Sequence, residues 1–171
     1  MRRLGPLWGP LSPLVLALAI LTFGLDQAHK WWMLGVRGFT EQSREALTPF
    51  LDQVLVWNRG ISYGWFASHS TQAQWILTAI AIAVSLWLWR WSAASREPLA
   101  AAALGLIIGG ALANALDRLL HGAVADFFLL HWGGWSWYIF NIADVAVVAG
   151  VLLLVFGGLL QRPSRKPFTM G

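Results

Sequence analysis

A chain of 171 residues, at roughly 150 residues per domain, makes one domain. Hydrophobic residues are 57% and charged residues 12%, against about 45–50% and about 25% in soluble proteins, and mean hydropathy is +0.59; so few charges cannot cover a soluble surface, and lipid becomes the solvent for the excess apolar area. Cysteine is absent, which excludes disulfides, thiol nucleophiles and thiolate metal sites, and the net charge of +4 comes from Lys and Arg scattered in ones and twos, with no basic stripe for a nucleic acid.

The first uncharged run covers Leu4 to Leu25, and Pro10 and Pro13 place a helix start near Ser12, so a span is expected over 13–33. A signal peptide competes for this run because Arg2 and Arg3 precede it. No small-x-small cleavage site stands before Asp26 and the stretch is long for such a peptide, which favours a retained anchor. The connection Val36–Gln72 is too long for a turn. Within it Val54–Trp57, followed by Asn58-Arg59-Gly60, reads as a strand entering a turn, and an extracytoplasmic platform is expected over 36–70.

Further uncharged runs follow at Gly60–Trp89, Pro98–Leu116 and Tyr138–Gln161, the last interrupted only by Asp144. About 20 apolar residues span a bilayer as a helix, so spans are expected over 72–91, 98–118 and 138–160, giving four crossings in one integral domain, 1–171. The segment 162–171, with Pro163 and Pro167, reads as a disordered cytoplasmic tail. Trp8, Trp31, Trp32, Trp57, Trp65, Trp87, Trp89, Trp91, Trp132, Trp135 and Trp137 cluster near the span ends, as an aromatic belt does.

Loop charges orient the bundle. With the N-terminus inside, Arg2, Arg3, Arg90, Arg96, Arg162, Arg165 and Lys166 are cytoplasmic against Glu97 alone. The other side receives Lys30, Arg37, Arg44, Arg59 and Arg118 against seven acids. The positive-inside rule therefore puts both termini in the cytoplasm, as an even number of crossings requires.

Asp26, Lys30, Asn58, Asn114, Asp117, Arg118, Asp126, Asn141 and Asp144 all fall at the extracytoplasmic ends of the expected spans. A charge inside a bilayer costs about 2.5–3.5 kcal/mol even on lenient scales, so each must be paired or functional. Asp26 and Lys30, at i and i+4, read as an ion pair closing the first helix ahead of a substrate role. Asn114 shares a face with Asp117 and Arg118; Arg118 can fork onto a carboxylate, with Asp117 the nearest candidate and Asp126 another. His29, His69, His121 and His131 show no metal-ligand spacing, and an interfacial place accounts for them. Asp126 and Asp144 have no basic residue at i±3 or i±4. The intervening stretch, Phe127 to Ala143, can return along the surface as a hairpin-like excursion and bring them together. Two carboxylates in a low-dielectric pocket share a proton, and such a pair can activate water while protonating a carbonyl or leaving amine.

At these residues the chain resembles the lipoprotein signal peptidases, the bacterial signal peptidase II family of intramembrane aspartyl enzymes. The resemblance runs from Leu14 to about Leu160 through five segments in register: Asp26 to Lys30, Asn58-Arg59-Gly60 to Gly64, Gly109-Gly110 through Asn114 to Asp117-Arg118, Gly122 through Asp126-Phe127, and Phe140-Asn141 to Asp144. It implies an all-α membrane protein, a four-transmembrane-helix bundle with a small extracytoplasmic β-cradle and a short interfacial helix between the last two spans. It makes Asp126 and Asp144 the catalytic dyad. It makes Asn58, Gly60, Asn114, Arg118 and Asn141 substrate-binding or site-ordering residues, and Asp26, Lys30 and Asp117 structural polar residues. Ala113 stands where the family usually has Gly, and Tyr63 where it usually has Phe.

The implied reaction is removal of the signal peptide from a diacylglyceryl-modified prolipoprotein, on the amino side of the lipidated Cys. It takes place at the outer face of the bacterial cytoplasmic membrane, among membrane lipids and with no metal or cofactor. A proton-coupled transporter would need ionisable groups across the membrane thickness, whereas the inner halves of the expected helices are apolar. A non-catalytic scaffold would tolerate Asn at 126 and 144.

Overall fold

The computed structural model describes residues 7–60 and 71–160. Tyr63, Trp65, His69, the charges at 2 and 3 and the tail 162–171 lie outside the described residues. Helix α1, Ser12–Trp31, carries Pro13 in its first turn, where a missing N–H costs no hydrogen bond. The Gly9 N–H donates to the Ser12 hydroxyl at 2.8 Å just ahead of it. The helix runs on into a π-helical turn, Trp32–Val36. After the strands β1, Arg44–Thr48, and β2, Leu51–Asn58, come α2, Thr71–Ser92, and α3, Pro98–His121. Helix α3 opens on a proline and stops at Gly122, whose φ of +68° lets its N–H reach back to the Arg118 carbonyl at 3.0 Å. Strands β3, Val124–Trp132, and β4, Trp135–Phe140, lead into α4, Ile142–Leu160.

Helix α2 is inside out relative to a helix of a soluble bundle. On α2 the buried positions are Gln74, Thr78, Ser85, Leu88 and Ser92, while Trp75, Ile76, Ile80, Leu86 and Trp87 are exposed. Helix α4 likewise exposes Val145, Val148, Val151, Leu152, Val155 and Phe156. An exposed apolar belt of this extent needs a lipid solvent. Helix α1 with its π-helical turn, α2 and α3 are each long and apolar enough to cross a bilayer, and α4 is apolar but shorter.

Helix α3 is central and packs on α1, α2 and α4. Its glycines set the approach: a Cβ on Gly109 would lie 2.5 Å from the Ala19 carbonyl oxygen of α1, and one on Gly110 2.5 Å from the Ala143 carbonyl oxygen of α4. The helix thus meets two backbones on adjoining faces, one turn from the residues that matter below.

The β-cradle expected from the first loop is present as β1 and β2, but the all-α label gives way, because β3 and β4 extend it to a four-stranded antiparallel sheet in the order β1-β2-β3-β4. The interfacial helix expected between the last two spans is, over residues 124–140, the β3–β4 hairpin. The span expected from 138 begins as a strand, with the helix starting at Ile142. The physical reason is local: Gly133 and Gly134 have φ of +53° and +87°, the two consecutive left-handed residues that a tight hairpin turn demands. They separate two runs rich in aromatic and branched residues. Met33, Phe39, Leu55, Ala125 and Phe127 form one buried cluster that docks the sheet on the end of α1. Phe127 and Met33 are fully buried, worth about 1.5–3 kcal/mol each.

Candidate active site

Strand β3 carries Asp126, opposite Val56 of β2, and the first turn of α4 carries Asp144. Asp126 is 2% exposed. Its Oδ1 accepts from Asn141 Nδ2 at 2.7 Å and its Oδ2 from Asn58 Nδ2 at 3.0 Å. Asp144 Oδ1 accepts from Asn114 Nδ2 at 2.9 Å, and its Oδ2 from the Asn141 backbone N–H at 3.2 Å. The Asn141 side-chain oxygen in turn accepts the Asp144 N–H at 2.8 Å. Asn141 and Asp144 therefore form the reciprocal box that caps a helix N-terminus, while the Asn141 amide reaches across to Asp126. The return between residues 127 and 143 brings the two carboxylates to one asparagine.

The three asparagine amides have only one sensible orientation each. Asn58 Oδ1 accepts the Gly60 N–H at 3.1 Å, Asn141 Oδ1 accepts the Asp144 N–H, and Asn114 Oδ1 accepts from Asn141 Nδ2 at 3.1 Å and from Lys30 Nζ at 3.4 Å. With the oxygens so occupied, each NH2 must face a carboxylate. Burial pushes Asp126 up to about 7, helped by the charge of Asp144 and opposed by the hydrogen bonds from Asn58 and Asn141. A carboxyl of that kind can both hold and release a proton near neutrality.

Beneath the pair lies a second polar cluster. Lys30 Nζ is 2.7 Å from Asp26 Oδ2 and 2.7 Å from Asp117 Oδ2, all three side chains being buried. Asp26 Oδ1 accepts the Ala143 N–H of α4 at 2.9 Å, and Asp117 Oδ2 the Ala125 N–H of β3 at 3.1 Å. Each of these backbone groups adjoins a residue of the pair, so the cluster fixes where Asp144 and Asp126 sit. Gln27 ties it shut, donating to Asp117 Oδ1 at 2.8 Å and to the carbonyl of fully buried Ala113 at 3.3 Å. Neither Gln27 nor the two backbone donors was singled out in the sequence; Gln27 lies inside the first motif, and the backbone groups carry no residue-type signal.

The expected fork of Arg118 onto a carboxylate does not form among the described residues. Asp117 turns to Lys30 instead, because a side chain one position along a helix points elsewhere and a facing helix supplies the cation. Arg118 Nη1 donates to the Asn114 carbonyl at 3.2 Å, and its Nε is buried without a partner. Of the histidines, His29 stacks on Phe128, His121 meets Trp57 with the rings tilted at 52°, and His131 Nε2 is 3.1 Å from Asp52 Oδ1. Among the described residues no group of His, Asp and Glu is arranged to hold a metal ion.

Two openings flank the pair. An apolar groove of about 570 Å³, lined by Tyr138, Phe140, Asp144, Val145, Val148 and Leu152, runs from Asp144 down the lipid-facing side of α4. A polar crevice of about 360 Å³ lies between α2 and α3 on the Arg118 side.

Residues 18–160 match the family model described as signal peptidase (SPase) II. A lipoprotein signal peptidase of Nitrobacter hamburgensis is 46% identical over 159 residues, covering 91% of this chain and 96% of its own. One of Methylorubrum extorquens is 46% identical over 158 residues, covering 92% and 91%. Among solved structures, a bacterial membrane enzyme determined at 2.3 Å superposes with a TM-score of 0.73 over 93% of this chain and 95% of its own. At 24% identity that likeness is one of fold.

Proposed function

The chain belongs to the signal peptidase II family of proteases, and from that premise we propose that it is a lipoprotein signal peptidase that cuts the signal peptide from lipid-modified prolipoproteins with Asp126 and Asp144. The observation that carries this reading is the pair itself: two carboxylates 18 positions apart, held by one asparagine, with Asp126 pushed up to about 7. One ionised carboxylate takes a proton from water. The oxygen of that water attacks the scissile carbonyl carbon while the other carboxyl, protonated, gives its proton to the carbonyl oxygen; the proton taken from water then passes to the leaving amine as the C–N bond breaks, and the carbonyl oxygen returns its proton as the new acid forms. Asp126 suits the acid role at neutral pH, although the two titrate as a unit. Asn58, Asn114 and Asn141 hold the carboxylates in register, and Asp26, Lys30 and Asp117 hold the elements that bear them. The reaction so drawn uses no cofactor or metal.

The apolar groove beside Asp144 suits a substrate that arrives sideways from lipid. In the same reading all four helices cross the bacterial cytoplasmic membrane, with both termini inside and the sheet and carboxylates outside. A reporter active only in the cytoplasm should work in the 90–97 loop and fail near Glu45; activity at both places would defeat this topology. The activity is tested by incubating the purified protein with a diacylglyceryl-modified prolipoprotein and reading the new amino terminus by mass spectrometry. A product beginning at the lipidated Cys is expected. No cut, or one elsewhere, would overturn the assignment.

A further inference from the structure

The crevice between α2 and α3 contains polar groups that nothing so far uses. Gln74 and Thr78, on adjacent turns of α2, are 5% and 3% exposed, and Arg59, Thr71, Arg118 and His121 complete its polar lining. Gln74 Nε2 donates to the Arg59 carbonyl at 2.6 Å. This fixes the amide, since a flipped one would set oxygen against oxygen. Gln74 Oε1 is left buried with no donor, and Thr78 Oγ1 and Arg118 Nε are likewise buried without partners. Groups of this kind each cost about 1–3 kcal/mol unless something in the crevice satisfies them.

The chemistry of these groups narrows what can dock there. Gln74 Oε1 can only accept, and Arg118 Nε–H can only donate. A lipid ester or a phosphate diester offers acceptors alone and would leave Gln74 unsatisfied. A peptide group offers an N–H and a C=O together. The crevice also adjoins the carboxylates: Arg59 follows Asn58, which holds Asp126, and Arg118 donates to the backbone of Asn114, whose side chain holds Asp144.

We infer that the crevice between α2 and α3 is a main-chain docking site for an extended stretch of substrate next to the cut bond, with Gln74 accepting a substrate N–H and Arg118 donating to a substrate carbonyl. This rests on the peptidase reading above. Gln74 is then a substrate-binding residue, blind to side-chain identity.

The test pairs substrate and protein changes. Lipid-modified precursor peptides are made in which one backbone N–H at a time, on either side of the cut, is replaced by an ester oxygen. They are compared in the wild-type protein and in Gln74→Leu, with Gln74→Met as a second variant of closer shape should the first fail to fold. At one position the ester should cost the wild type about tenfold in kcat/KM, mostly through KM, and cost the variants nothing further. Variants that lose the same factor as the wild type at every position would overturn the docking site and leave the peptidase reading standing, as would equal values in all, the crevice then holding water only. A wild-type protein that cuts no precursor at all overturns both.

Discussion

Two groups of carboxylates, buried but for the half-buried Asp144, are linked through the backbone of Ala125 and Ala143 and are built on opposite terms. Asp26 and Asp117 close on one ammonium, Lys30, at 2.7 Å each, and their remaining oxygens take backbone N–H groups and Gln27. Asp126 and Asp144 have amides for hydrogen-bond partners and no ion pair among the described residues. The first group shares one cation and has neutral donors on its remaining oxygens, and so can serve as a clamp. The second is left electrically unsettled, and that is the condition under which a carboxyl exchanges protons near neutral pH. On the proposed reading, what separates a clamping carboxylate from a reacting one is its nearest partner.

The comparison breaks most visibly at the pair. Asp126→Asn and Asp144→Asn should each lower single-turnover cleavage of a lipidated precursor by about a thousandfold or more, while the protein still extracts in folded form; the double variant should be hardly worse than either. Substantial turnover in a single variant removes that residue from the chemistry. At the clamp, Lys30→Met strands two buried carboxylates and should destabilise the fold by about 3–5 kcal/mol, read as a fall in the thermal midpoint in detergent. Adding Asp26→Asn and Asp117→Asn to it should recover part of the loss, which no equivalent change at the pair would do for activity.

The unsettled group also leaves a mark on stability. With Asp126 at about 7 in the folded protein and 3.8 as its ordinary value, the folded state binds the extra proton between those limits. Stability therefore falls as pH rises through that window, by on the order of 4 kcal/mol in total. Asp126→Asn lacks this slope, so the difference in thermal midpoint, variant minus wild type, should grow from pH 5 to pH 8. A constant difference would place the raised carboxyl elsewhere. The smallest effect is expected from Asp52→Asn, whose carboxylate meets Arg44 and His131 on the sheet away from the pair; cleavage should change by less than about twofold.

The amount of this readable from sequence differs by residue. Asp126 and Asp144 stood out because no local base answers them, and the strand at Val54–Trp57 because alternation and a following turn mark it. The second partner of Lys30 was not readable. Helical spacing offered Asp117 to Arg118, and only the packing of α1 on α3 gives it to Lys30. The residues themselves point to a hairpin-like return over 127–143, with Gly133-Gly134 at its turn, and the helix expected there rests on the family resemblance alone; only the start of the last span, set at 138 by absence of charge, goes astray, because an uncharged strand and an uncharged helix look alike to that measure. Gln74 gave no sign, since its significance is a lone pair without a donor, which exists only once the chain is folded.

Asp126 rides on a strand whose neighbour, β2, comes from the first half of the chain, and Asp144 on the last helix. The two carboxylates therefore meet only where the sheet and α4 are both in place, α4 docking through the Ala143 N–H on Asp26. On the proposed reading a partly assembled chain has no hydrolytic centre, and activity reports that the whole molecule has been put together.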